Sequence, residues 1–149
     1  FPKRPFSGAF CYTSGMQGYI TDIEKATFAN EDFRRVLYTS KHQQLVVMSI
    51  VPGGEIGEET HADVDQFLRI EMGEGKAVID GVEHALSDGF SITVPAGAKH
   101  NIINTSSEVP LKLYTVYSPP NHKDGLVHKT KADADADEPN DHWDGSTTE

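Results

Sequence analysis

The chain has 149 residues, 37% of them hydrophobic, a formal net charge of −10 and a single cysteine, Cys11. That length suits one domain with one modest core, and the acidic balance excludes nucleic-acid binding, which needs clustered Lys and Arg. A lone cysteine excludes an internal disulfide and points to a reducing, cytoplasmic setting. No apolar run reaches the roughly 20 residues of a bilayer span, and no apolar stretch follows the basic start, so neither a signal peptide nor membrane contact is expected.

Residues 1–32 read as an N-terminal arm. Its first ~20 residues are irregular, rich in Gly, Ser and aromatics. Asp22 to Phe33 has weak helical character, with Thr21 or Asp22 as a cap. Strands are then expected at Phe33 to Tyr38 and at Leu45 to Val51, the second broken by Pro52-Gly53-Gly54. Gln66 to Met72 follows, then a turn at Gly73-Glu74-Gly75 and a strand over Lys76 to Asp80. The Asp80-Gly81 pair is a tight hairpin signal leading into Val82 to Leu86. Ser91 to Val94, His100 to Asn104 and Leu111 to Tyr117 complete the series before Pro119-Pro120. About eight short strands with turn signals every ~8–12 residues describe an all-β sandwich or barrel over residues 33–120. Residues 121–149 form a C-terminal extension ending in ADADADEPNDHWDGSTTE. Its repeated Ala-Asp reads as a mobile acidic tail that buries no apolar area and carries no site.

Two stretches within the strand array carry polar residues at regular spacing. The first is Gly53-x5-Glu59-x-His61-x4-Gln66-x6-Gly73. The second is Gly89-x5-Pro95-x-Gly97-x2-His100-x3-Asn104. Glu59 and His61, two apart on a strand, face the same way. Gln66 is an odd step away, so a turn or bulge near Val64-Asp65 must re-aim it. Gly73, Gly89 and Gly97 fall at corners that call for positive φ. Pro95 fixes φ at one corner, and Asn104 is suited to lock a turn through its side chain.

The two stretches, in sequence, order and separation, resemble the paired motifs of the cupin superfamily. The resemblance covers Phe33 to Pro120 and implies a single RmlC-like cupin barrel, a double-stranded β-helix or jelly roll. It implies that the x4 spacing puts Gln66 on a neighbouring strand, and that Glu59, His61, Gln66 and His100 hold one divalent metal ion. Cupins most often present His, His, Glu and His, so the first and third positions depart from the commonest pattern. Two imidazoles, one carboxylate and one amide oxygen suit Zn, Ni, Mn, Fe or Co. Whether Gln66 would bind directly or through water stays open. Cupins also tend to pair through edge strands, which implies a homodimer.

Type I phosphomannose isomerases resemble this donor set with the Gln and Glu positions exchanged, and cupins that open unsaturated uronates share a Gln at the third position. The resemblance therefore implies a small-molecule enzyme with the metal as Lewis acid on a sugar or an oxo or hydroxy acid, of isomerase or lyase type. A non-haem metal dioxygenase is the second reading, and a metabolite- or metal-binding module without chemistry the third. Candidates for the proton-transfer (catalytic) residue are Tyr38, Glu58, Lys112 and Tyr114. Alternation puts Lys112 and Tyr114 on one face and Leu113, Thr115 and Tyr117 on the other, without saying which is inward. Arg35 and Arg69 are candidates for an anionic substrate, against a plain reading as solvent-facing charges. His122 and His128 follow Pro119-Pro120, from where either could reach the barrel mouth. No G-x-S-x-G, P-loop or dinucleotide fingerprint is present.

Overall fold

The structure, a computed structural model, describes residues 15–149. Cys11 and the first part of the N-terminal arm lie outside them. Ten antiparallel strands follow one short helix, α1 (Ile23–Ala29). They are β1 (Arg34–Thr39), β2 (Gln44–Ile50), β3 (Glu59–Thr60), β4 (Asp65–Met72), β5 (Glu74–Ile79), β6 (Val82–Ser87), β7 (Ser91–Val94), β8 (Lys99–Asn104), β9 (Leu111–Ser118) and β10 (Val127–His128). They form a six-stranded sheet in the order β10-β1-β2-β9-β4-β7 and a four-stranded sheet in the order β3-β8-β5-β6. The two sheets make one β-barrel. No helix among the described residues is long and apolar enough to cross a membrane.

Alternation along the strands decides what lies inside. Val46, Met48 and Ile50 of β2, Leu68 and Ile70 of β4, and Leu111 and Leu113 of β9 are all buried and share one core with Ala77, Ile92, Val94 and Ile102. Each such aliphatic side chain contributes about 1.5–3 kcal/mol on burial. The odd positions of β9, ending in Thr115 and Tyr117, face inward; Lys112 and Tyr114 therefore face outward. Asp22 caps α1 by accepting from the Lys25 N–H at 3.1 Å. The helix packs on the outer face of the larger sheet, where Lys112 Nζ donates to the Phe28 carbonyl at 2.6 Å.

The corners behave as their residues require. Asp80 and Gly81 both take positive φ, 45° and 82°, in the β5–β6 hairpin. A side chain at Gly73, φ 95°, would place its Cβ 2.7 Å from the Pro110 carbonyl, so neither the angle nor the space admits one. Asn104 locks the loop before β9: its amide donates to the carbonyls of Ile50, Val51 and Val109, and its Oδ1 accepts from the Ser106 N–H.

The C-terminal extension corrects the expectation of an unstructured tail. It folds back as β10 beside β1, and the Ala-Asp repeat forms a helix, α2 (Lys131–Asp137), followed by a 3-10 turn (Glu138–Asn140). Thr130 and Asp133 make a reciprocal capping box. Lys131 pairs with Asp135 one turn on at 2.8 Å. Alanine is the strongest helix former, and with Ala134 turned inward the aspartates stay at the surface. His128 Nε2 ties to Asp137 Oδ2 at 2.9 Å, fastening the helix to β10. Apolar burial is therefore available to this segment after all, against the barrel rather than within itself.

Candidate metal centre

The barrel geometry gathers the spaced polar residues at one end. β3 and β8 pair so that Glu59 lies opposite His100. His61 follows at the corner where the chain leaves the smaller sheet, its carbonyl accepting from the Gly97 N–H at 2.8 Å. Gly97 has φ 86°, so the second motif holds the first in place through a backbone turn suited to glycine. The chain then crosses to the larger sheet, which re-aims Gln66 of β4 into the barrel from the opposite wall. Ligand atoms of Glu59, His61 and His100 all lie within 4.8 Å of one another.

Proton positions around His100 show what this cluster lacks. His100 Nδ1 lies 2.9 Å from the Ala98 carbonyl, which can only accept, so Nδ1 carries the hydrogen. Gln66 donates its amide to Thr115 Oγ1 at 3.1 Å, which turns its Oε1 towards His100 Nε2 at 3.0 Å. In the neutral imidazole two lone pairs then face each other across that gap, an arrangement that a shared cation, a proton or a half-turn of the amide satisfies. His61 Nε2 is buried with no hydrogen-bond partner among the described residues, although Glu59 Oε2 stands 3.3 Å away. An orphaned imidazole nitrogen, a carboxylate and a second nitrogen facing an amide oxygen fit a divalent ion with mixed N/O ligands. Burial opposes ionisation of Glu59, but His61 and then Arg34 outweigh it and hold the carboxyl below its usual range.

A second polar layer surrounds the cluster, and sequence reasoning missed most of it. Arg34, 4% exposed, reaches from β1 to Glu59 Oε1 at 3.6 Å and to Asp141 Oδ2 at 3.5 Å. Asp141 comes from the C-terminal extension and also faces His122 Nδ1 at 3.4 Å. His122 Nε2 lies 3.4 Å from the Tyr117 hydroxyl and 3.3 Å from the Asn121 amide, whose N–H can only donate. Nε2 is thus the acceptor and Nδ1 carries the hydrogen towards Asp141. Gln44, fully buried, clamps this segment: Oε1 accepts from the N–H groups of Asn121 and His122, and Nε2 donates to the His122 carbonyl and to Thr39 Oγ1. Burial pushes the His122 imidazole down to about 4 against the pull of Asp141, and burial pushes the Tyr117 phenol up. Asp141 is held low by His122 and Arg34, which outweigh its desolvation. The Tyr117 ring stands edge-on to both His61 and His122. A cavity of about 370 Å³ opens in front of this layer, with Arg34, Glu59, His61, His122, Ala134 and Asp141 in its wall.

Of the four proton-transfer candidates, Glu58 alone lines that cavity, at the rim and 3.2 Å from Lys99. Tyr38 is on the outside, donating to Glu149 and stacked on Tyr19. Lys112 and Tyr114 lie on the outward face of β9, under α1 and against Phe67 respectively. Arg35 pairs with Asp32 at 2.6 Å on the surface, and Arg69 faces Glu71 outside the barrel, so neither anion-binding candidate reaches the cavity. The arginine inside is Arg34, one position earlier. Alternation could have found it: Arg34 and Val36 share the buried face of β1 and Arg35 does not.

A family model described as a cupin domain matches residues 46–117. The chain is 47% identical over 130 residues to the Bacillus subtilis protein YrkC, covering 83% of this chain and 69% of that one. It is 44% identical to protein L612 of Acanthamoeba polyphaga mimivirus over 114 residues, 74% of this chain and 71% of that one. Among solved structures, BH2720 from Bacillus halodurans superposes with a TM-score of 0.79 at 42% identity, covering 83% of this chain and 97% of that one.

Proposed function

As this chain belongs to the cupin superfamily, we propose that it is a metal-dependent enzyme acting by Lewis-acid catalysis on a small oxygen-rich substrate, in an isomerase- or lyase-type proton transfer. The observation that carries the reading is the trio Glu59, His61 and His100, with ligand atoms within 4.8 Å and an unpartnered imidazole nitrogen among them. Glu59, His61 and His100 would hold the ion, with Gln66 Oε1 as a fourth donor beside His100. Bound there, a divalent ion supplies polarisation of a carbonyl or hydroxyl oxygen. The chain's own residues shape the rest. Phe33, Ile56 and Ala134 give the cavity apolar surface, and Arg34 and His122 stand in its wall. Glu58, at the rim, is the proton carrier that remains from the four candidates.

Hydrogen exchange tests this reading. Metal-loaded protein in D₂O, given a panel of aldoses, ketoses and oxo and hydroxy acids, should place deuterium next to the carbonyl of at least one member, followed by NMR. A panel that stays unlabelled and unchanged would remove the enzyme reading.

A second reading rests on the same donors. Two imidazoles and one carboxylate are also the set used by non-haem iron oxygenases. Oxygen uptake by Fe(II)-loaded protein with diketones and thiols would support it, and silence across that panel would discard it.

A further inference from the structure

Arg34 is a buried cation with a donor left unused among the described residues. Its side chain is 5% exposed, yet Nε has no hydrogen-bond partner among the described residues. Nη1 and Nη2 reach carboxylates only at 3.5 and 3.6 Å, well beyond the roughly 2.7–2.9 Å of a charge-assisted bond. A buried guanidinium with unused donors is costly, and such a group calls for an acceptor. The cavity of about 370 Å³ lies directly against it. The Phe33 ring sits under the guanidinium carbon at 5.4 Å, which favours one orientation of the planar fork.

The cavity wall carries Arg34 and Lys131 against Glu58, Glu59, Asp135, Glu138 and Asp141. Lys131 pairs with Asp135 at 2.8 Å, which leaves Arg34 as the buried cation of that wall with a donor to spare. A planar carboxylate matches the guanidinium fork in shape as well as sign.

We propose that Arg34 is the specificity-determining residue of the site and that it selects a small monocarboxylate, an oxo or hydroxy acid, over a neutral sugar. Asp141 of the C-terminal extension is a positioning residue that faces Nη1 of the guanidinium while Glu59 faces Nη2. The inference rests on the metal-site reading above and narrows its substrate class.

Calorimetric titration of the full chain loaded to one equivalent with Zn²⁺ tests it, using lactate, glycolate and pyruvate against their uncharged amides. Each amide keeps two oxygens able to chelate the metal, loses the charge and exchanges one acceptor oxygen for an NH2 donor. At least one acid should bind about tenfold or more tighter than its amide, as expected for hydrogen bonds to a charged group. R34Q should bring acid and amide to within about twofold while zinc content stays at one equivalent. If R34Q does not fold, R34K keeps the charge and loses the fork, and most of the preference should still disappear. Equal binding of acid and amide by the parent, no binding of any acid, or an unchanged preference in a folded Arg34 variant would overturn the proposal while leaving the metal site standing. Failure to take up zinc at all would instead remove the reading on which it rests.

Discussion

Two seven-residue helices flank the strands, α1 before them and α2 after. α1 lands on the outer face of the larger sheet and seals it, with Thr27 buried and Lys112 Nζ bonded to the Phe28 carbonyl. α2 lands at the mouth of the barrel, lines the cavity with Ala134 and leads the chain to Asp141. Length and helical character do not separate the two; the part of the barrel each covers does. The first supports stability, and the second builds the wall of a site.

The largest test of that division is Q44A. Gln44 makes four hydrogen bonds, three that hold Asn121 and His122 at the start of the C-terminal extension and one to Thr39 on β1. Truncation leaves several buried groups unsatisfied and should cost about 3 kcal/mol or more in urea denaturation. It should also loosen His122 and weaken binding of a small carboxylate. Unchanged stability would mean that the extension is not fastened there.

Acid should act on the same side of the molecule. The folded pKa of His122 is depressed to about 4 from 6.5. Between those values the unfolded chain binds the extra proton, so stability is full above pH 6.5 and is lost as pH falls towards 4. The effect is roughly 3 kcal/mol at most. Glu59 and Asp141, with lowered values, add loss in the same direction. Denaturation midpoints of metal-free protein across pH 7 to pH 4.5 should therefore fall less steeply for H122Q than for the parent; parallel slopes would contradict a buried neutral imidazole.

D141N is expected to be milder, about 2 kcal/mol, because it weakens one long ion pair with Arg34 and one contact with the neutral His122 imidazole without leaving a void. Metal content should hold while carboxylate binding weakens. The smallest effect belongs to the other flank. K112M removes the bond to α1 but keeps the stem packed, so about 1 kcal/mol should be lost, with metal and ligand binding untouched. Loss of metal from K112M would break the distinction between the two flanks.

The strand array was legible because each strand is bounded by residues with one physical role. Gly73, Gly89 and Gly97 do take positive φ, the Asp80-Gly81 pair does turn a hairpin, and Asn104 does bond its own loop. β3 and β10 escaped notice because two-residue strands have no periodicity to read. The inward face of β9 was not decidable from alternation alone, since Lys112 and Tyr114 alternate as cleanly as Thr115 and Tyr117. Spacing put Glu59 and His61 on one face and the resemblance to cupins implied that His100 joins them, whereas Arg34, His122 and Asp141 meet only because the extension returns to the barrel mouth. A capping box at Thr130 and Asp133 was the local signal for that return, hidden within a stretch whose composition suggested disorder.

Metal content per chain tests the central claim most directly. Protein purified without chelator would be measured by elemental mass spectrometry beside the H61A/H100A double variant. The account predicts near one equivalent of a single divalent transition metal in the parent and near none in the folded variant. No metal in the parent, even after exposure to Zn, Mn, Fe and Ni, or equal metal in both proteins, would contradict it.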